Sequence, residues 1–383
     1  MEREVMIRQL WDDLERLKAS EGYFRAGLPR YNTLFGRDSL IAAWQLLKID
    51  PTVAKNTLKV LAGLQGKKSW TKNEEEPGRI VHEYAKLWSK EGLKRLPAKI
   101  FLGYPYYGSI DSTSLFVILA AFYFEKTGDA EFIKEIWQNI KDAVIWMKYY
   151  GDRDSDCFLE YKRKNPFGLY HQGWKDSFRF PHKISLPIAV VEVQGYAYLA
   201  YRKFSELSQK LFGEPQPHFE KLAGNLKRRF NERFWMGDFF AFCLDGKKVP
   251  QKIYTSNPGH LLFTGIVDDD KLSKLVGRLT GSDLWTPYGI RTLSFLDPDF
   301  KLDLRVGGPV WPHDNWMIIQ GLRERGYFCL AEQIKAGLIR AFEEIRFIPE
   351  CFGVKNGKII PEKSACYPQA WASAAMLNLL ING

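Results

Sequence analysis

The sequence predicts an all-α fold, an (α/α)6 toroid in which six inner helices are ringed by six outer ones. Two observations carry that prediction. Apolar residues recur at helical spacing in about a dozen segments, whereas strand-like stretches are few and local. The helical segments also pair up, joined by connections that are alternately short and long. In a ring of helix pairs the long connections gather on one face, and that face is expected to carry function.

Residues 3–18 place Val5, Leu10, Leu14 and Leu17 at helical spacing. Ser39–Leu47 is almost wholly apolar. Pro51 suits the first turn of a helix closing near Gly66, where a missing N–H costs nothing. Asp111 or Ser112 caps a helix over Leu115–Lys126, and Gly128-Asp129 precedes a long one over Ala130–Tyr150. Further helices are predicted at 187–211, 216–234, 269–279, 313–325, 328–345 and 367–380, with shorter ones near 82–89 and 258–264. Phe239–Val249 reads as a hairpin turning at Asp245-Gly246, and Gly151–Tyr161 as a second. No composition break divides the chain, so residues 1–383 are expected to form one catalytic domain with no N-terminal β-domain.

Composition narrows the function. The chain is 45% hydrophobic and 15% aromatic, enough for a large core and incompatible with disorder. Twelve Trp and 18 Tyr are high counts; core packing absorbs some of them, but rings with a polar edge also make sugar-stacking platforms. The net charge of +10 suggests nucleic acid, but the basic residues are scattered and no run of five occurs, so no nucleic-acid partner is expected. Five cysteines without a CxxC argue against a disulfide framework or a zinc site. The N-terminus is charged, and no apolar run approaches the ~18 residues of a membrane helix. The chain reads as cytoplasmic, with no membrane partner.

The connections hold the chemistry. Gly173-Trp174-Lys175-Asp176-Ser177 sets one carboxylate beside a large aromatic and a cation, in a segment too polar and Gly-rich for core. Glu350 is a second lone carboxylate about half the chain away. Two carboxylates on two loops of an aromatic-rich chain are the minimal equipment for cleaving a glycosidic bond. Asp176 alone reads equally well as a turn residue. Arg37 and Asp38 precede an apolar helix, where Asp38 or Ser39 is an N-cap or the pair grips vicinal hydroxyls. Tyr104-Pro-Tyr106-Tyr107 crowds three phenols ahead of Asp111. Trp311-Pro-His313-Asp314 and Gln369-Ala-Trp371 each open a helix. His313 has no second His at i+4, and the six His are dispersed, so no metal site is expected. Asp152-Arg-Asp154-Ser-Asp156 starts like a calcium loop but lacks the glycine and the closing glutamate, and reads as a turn.

Read in order, Phe35-Gly-Arg37-Asp38-Ser39, Glu76-Pro-Gly-Arg79-Ile-Val-His82-Glu83, Gly173–Ser177, Val310-Trp-Pro-His-Asp314-Asn315 and Pro368-Gln-Ala-Trp371 resemble the catalytic domain of the amylo-α-1,6-glucosidase (glycogen debranching) family. The pattern is also similar to the wider group of inverting α-glucosidases and mannosylglycerate or glucosylglycerate hydrolases. The resemblance implies an (α/α)6 barrel and inverting glycoside hydrolysis. It implies that Asp176 is the general acid, that Glu350 is the general base, and that Arg37 and Asp38 hold the non-reducing sugar. Tyr31, Glu83, Tyr106, Tyr107, Asp111, Trp174, Lys175, Trp311, His313, Asp314, Gln369 and Trp371 complete the expected substrate-binding set. Trp174 is expected to desolvate Asp176, with Lys175 pointing elsewhere.

Two departures stand out. Only about 30 residues precede the first motif, and Asp303–Pro309 lies where the family carries a Tyr-His-Asn-Gly-Ser segment. Both favour a small α-glycoside over a branched polymer. The expected activity is hydrolysis of α-linked glucosides. The alternatives are a mannosylglycerate or glucosylglycerate hydrolase, or a non-catalytic carbohydrate-binding toroid. This chemistry calls for a small carbohydrate partner and no cofactor.

Overall fold

Helices buried along nearly their whole length alternate in this chain with helices buried on one stripe. The computed structural model describes residues 1–85, 100–177 and 182–382. In chain order, the helices bounded within them are α1 (Arg3–Leu17), α2 (Gly36–Leu46), α3 (Pro51–Gly63), α4 (Ser112–Thr127), α5 (Ala130–Glu135), α6 (Trp137–Trp146), α7 (Val191–Phe212), α8 (Pro217–Arg233), α9 (Asp269–Leu279), α10 (Pro312–Glu324), α11 (Phe328–Ile345) and α12 (Ala370–Asn382). A 3-10 turn over Asn257–Leu261 lies between α8 and α9.

The inner ring closes on itself. Packing runs from α2 to α4, α7, the Asn257–Leu261 turn, α10 and α12, and back to α2. The outer helices α1, α3, α6, α8, α9 and α11 each back onto this ring. This is the (α/α)6 toroid. Burial explains which helix goes where. α4 is buried at every position from Ser112 to Ala121, so it has no polar stripe to turn toward water. α9 buries only Leu275, Val276 and Leu279. Ala370, Ala372, Ala374 and Ala375 on α12 are small and fully buried, which lets α12 lie close to α2.

The short links after α2, α4, α7, the Asn257–Leu261 turn and α10 force the next outer helix to return antiparallel, while α12, the last of these helices, is backed by α1. The inner elements therefore all run the same way, and their N-termini share one face with the long connections. That geometry places the site.

Several boundaries differ from the sequence reading, each for a local reason. The helix expected over 130–150 breaks at Ile136 into α5 and α6, then widens into a π turn over Met147–Gly151. α7 begins at Val191 because Ala189-Val190 pairs instead with Cys243-Leu244. The 239–249 stretch thus keeps its turn, with Lys248 N–H donating to the Asp245 carbonyl at 2.8 Å, but spends its strand on a distant partner. Gly151–Tyr161 is no hairpin, since Tyr161 bridges Ile188. Its acidic turn holds the Lys248 ammonium, 3.0 Å from Asp154, 2.8 Å from Asp156 and 2.5 Å from Glu160. A hairpin the sequence reading missed joins Phe352–Lys355 to Lys358–Pro361. Its Asn356-Gly357 turn has φ of 51° and 70°, the left-handed pair that Asn-Gly favours. The short helix expected near 82–89 lies largely outside the described residues. Among those described, no helix is long and apolar enough to cross a membrane.

Gly36 fixes the start of α2. Its N–H donates to the His82 carbonyl at 2.9 Å, and a β-carbon there would run into the Val81 carbonyl. Gly36→Ala is expected to cost about 1–3 kcal/mol in urea unfolding. Gly63→Ala, which meets nothing within 4 Å, should be neutral or stabilising. Equal effects at the two sites would refute this account of how α2 is anchored.

Candidate active site

A cavity of about 240 Å³ opens among the long connections, beside the N-termini of α2 and α12. Tyr31 comes from the connection before α2, and Arg37 and Asp38 from its first turn. Trp174 and Asp176 come from the connection before α7, Asp303–Val306 and Trp311 from the one before α10, and Glu350 from the one before α12.

Arg37 is the hub. Its side chain is 1% exposed. Nε donates to Asp111 at 2.6 Å and Nη1 to Asp176 Oδ2 at 2.8 Å. Nη2 donates to the Gln172 carbonyl at 3.1 Å and Ser109 Oγ at 3.4 Å. Burial works against the charge of Arg37, but Asp111 and Asp176 outweigh it and hold its pKa above the ordinary arginine value. Asp111 therefore supports the cavity from beneath rather than lining it. Asp176 is 34% exposed, and His82 Nε2 lies 3.6 Å from the same Oδ2. The dry surround expected from Trp174 is not what Asp176 has; it is exposed on one side and faces Arg37 and His82 on the other.

Glu350 is the opposite case, with 1% exposure. Oε2 accepts from Cys366 N–H at 3.0 Å. Oε1 accepts from Gln369 Nε2 at 3.4 Å and from Arg305 Nη2. Burial pushes its pKa up, while Arg305, the Cys366 N–H and Gln369 pull it back; the net direction is upward. Gln369 Nε2 also reaches Asp38 Oδ1 at 3.5 Å, so Gln369 lies behind both acids. Burial raises the Asp38 pKa to about 8, with Arg37 pulling it down and Asp176 and Glu350 pushing it up.

Trp174, Trp311 and Trp371 line the cavity. Trp174 and Trp311 meet edge to face at 5.6 Å and 74°. His313 lies behind, stacked on Trp371 at 3.7 Å and fully buried, and burial lowers its pKa well below the usual imidazole value. Asp314 bonds His260 at 2.8 Å in the same buried layer.

The remaining expected binders do not line the cavity. The Tyr106 hydroxyl accepts from Leu169 N–H at 2.9 Å, and Tyr107 donates to the Leu64 carbonyl at 2.9 Å. Glu83 is buried in the short strand paired with Leu34-Phe35. Lys175 is buried and donates to the Thr292 carbonyl at 2.6 Å, tying its loop to the 280–311 connection. Phenols and charges in a loop do not reveal which side faces the cavity, and here those side chains turn inward to satisfy backbone groups. The sequence reading also missed Arg305. Nη1 donates to the Tyr31 hydroxyl at 2.6 Å, and Trp311 Nε1 donates to the Arg305 carbonyl at 2.7 Å. Its signal was a lone arginine in the Asp303–Pro309 segment, noted only as a departure from the family pattern. Away from the cavity lining, His182, Asp297 and Asp299 bring possible ligand atoms within 4.8 Å of one another.

The sequence model of the mannosylglycerate hydrolase MGH1-like glycoside hydrolase domain family matches residues 152–371. The chain belongs to this family. It is 26% identical to a mannosylglycerate hydrolase of Rubrobacter radiotolerans over 193 residues, 48% of this chain and 42% of that protein. It is 37% identical to mannosylglycerate hydrolase MGH1 of Selaginella moellendorffii over 75 residues, 19% and 15% of the two chains. The chain thus aligns with less than half the length of either curated relative. Its fold is similar to the crystal structure of the GH63 mannosylglycerate hydrolase from Thermus thermophilus in complex with Tris and D-glycerate, with a TM-score of 0.76, 16% identity, and coverage of 99% of this chain and 100% of that one. For the complex with Tris alone the values are 0.75, 15%, 97% and 99%. Within the resemblance seen in the sequence, the mannosylglycerate hydrolase branch is the one that matches.

Lys175 offers a test of the packing beside the cavity. Burial lowers its pKa to about 8, against the pull of Asp314, Glu192 and Asp297. A folded pKa below the unfolded one means that the folded state binds fewer protons between about pH 8 and about pH 10.4, so stability rises with pH across that window. The stability of wild type relative to Lys175→Met should therefore grow from neutral pH upward through that window, measured by urea unfolding. A flat difference would show that Lys175 is not desolvated.

Proposed function

We propose that this chain is an inverting glycoside hydrolase acting on a small α-glycoside whose aglycone carries a carboxylate, mannosylglycerate or glucosylglycerate. One observation carries the reading. In a chain of the MGH1-like family, two carboxylates from two connections face a single cavity, one partly wet and one buried under three donors.

In this reading Asp176 is the general acid and Glu350 the general base. Asp176 passes its proton to the glycosidic oxygen as the C–O bond breaks. Water attacks the anomeric carbon from the opposite face, and Glu350 takes the water's proton. Asp111 already neutralises Arg37, so Asp176 can carry a proton without leaving a buried cation unpaired. A base benefits from an upward-shifted pKa, which the burial of Glu350 supplies. Asp38 faces the sugar hydroxyls beside Arg37, and Trp174, Trp311 and Trp371 offer stacking surfaces. The α-1,6-debranching reading has less support, because the family match and the curated relatives are mannosylglycerate hydrolases.

The test is a panel of α-mannosylglycerate, α-glucosylglycerate, maltose and isomaltose, with the released anomer followed by proton NMR. A glycerate glycoside should be cleaved best, with the β-anomer appearing first. Initial release of the α-anomer would refute inversion, and binding without cleavage would favour a non-catalytic toroid. Asp176→Asn and Glu350→Gln should each lower kcat about 10²–10⁴-fold. Glu350 must be ionised to act, so activity should fall as pH drops through its raised pKa. The acid limb should then lie above the ordinary glutamate range of about 4.3.

A further inference from the structure

We propose that Arg305 reads the carboxylate of the aglycone, and that in doing so it lets go of Glu350. This rests on the acidic-aglycone reading above and adds a coupling between recognition and catalysis. Among the described residues lining the cavity, the cationic side chains are Arg37 and Arg305. Arg37 is buried and committed to Asp111, Asp176, Ser109 and the Gln172 carbonyl. Four of its five N–H groups are taken, and its charge is already offset by Asp111. Arg305 differs. Its side chain is 23% exposed, and its guanidinium lies 5.1 Å from the Tyr31 ring and 5.4 Å from the Trp311 ring. Its backbone is held by Trp311 Nε1, so the head can move about a fixed base.

Charge makes the exchange necessary. Of the four carboxyl groups on the cavity wall, Asp176 holds the proton it donates and burial keeps Asp38 protonated at neutral pH, while Asp111 offsets Arg37, so Asp303 and Glu350 stand against Arg305 alone. An anionic aglycone meets net repulsion unless Arg305 turns to it, and a bidentate guanidinium–carboxylate pair is the strong form of that contact. Glu350 would keep the Cys366 N–H and Gln369 Nε2 but lose its cation. A carboxylate that loses a cationic partner becomes a stronger base. The right substrate would thereby sharpen the base that cleaves it, whereas a neutral aglycone would leave Arg305 on Glu350.

The test compares α-mannosylglycerate with α-mannosylglycerol, which replaces the carboxylate by CH2OH, and the glucosyl pair likewise. Wild type should prefer the glycerate, with part of the preference in kcat. In Arg305→Met the kcat/KM preference should fall about 10- to 100-fold; Arg305→Lys should recover part of it. If Arg305→Met does not fold, judged by circular dichroism, Arg305→Lys against wild type decides. Equal loss on both substrates with the ratio kept would overturn the proposal, leaving Arg305 a partner of Glu350 only. A preference lying wholly in KM would overturn the coupling. Wild type that cleaves maltose or isomaltose but neither glycerate would instead refute the acidic-aglycone reading itself.

Discussion

A guanidinium buried as deeply as Arg37 has to satisfy its N–H groups inside the protein, because an unpaired buried charge costs several kcal/mol. Arg37 does so by drawing together Asp111 at the start of α4, Asp176 and the Gln172 carbonyl before α7, and Ser109. These partners come from separate connections, so the first turn of α2 is satisfied only when the ring has closed and those loops are seated. Asp38, one residue on, reaches Gln369 before α12, and Gln369 reaches Glu350. One helical turn therefore sets the position of both proposed catalytic carboxylates. The partial positive charge at the α2 N-terminus also favours the acids gathered there.

The toroid was legible because a ring of helix pairs writes itself as alternation. α2, α4 and α12 read as nearly continuous apolar runs, and α9 and α11 as stripes. What misled was competition between local and distant pairing. Cys243-Leu244 looked like half of a hairpin but finds Ala189-Val190, a partner that no local pattern announces. The Asn356-Gly357 hairpin was the reverse case, since its turn signal stood plainly in the sequence.

At the site, the sequence singled out carboxylates better than their surroundings. Asp176, Glu350, Arg37 and Asp38 stood out because charged groups in Gly- and aromatic-rich loops have few structural uses. Tyr106, Tyr107 and Lys175 stood out for the same reason, yet they spend their polar atoms on the backbone of neighbouring loops. Which way a loop side chain turns depends on the orphan carbonyls and N–H groups nearby, and those exist only once the loops have packed. Overall charge says little about the site. A chain at +10 holds a cavity walled by four carboxylates and two arginines, because net charge describes the outer surface and not the site.

The assignment of acid and base turns on the same local detail. Burial pushes the Glu350 pKa up, which taken alone would nominate Glu350 as the proton donor. The donors around it argue otherwise. Oε1 accepts from Arg305 and Gln369, and Oε2 from the Cys366 N–H, so both oxygens are turned toward hydrogens. A protonated carboxyl has to donate from one of its oxygens, and at Glu350 that would set the new proton against a donor already in place. Asp176 meets both of its basic neighbours through Oδ2, leaving its other oxygen to carry a proton toward the partly open side. The carboxyl with a free oxygen suits the acid, and the one held as an acceptor at both oxygens suits the base.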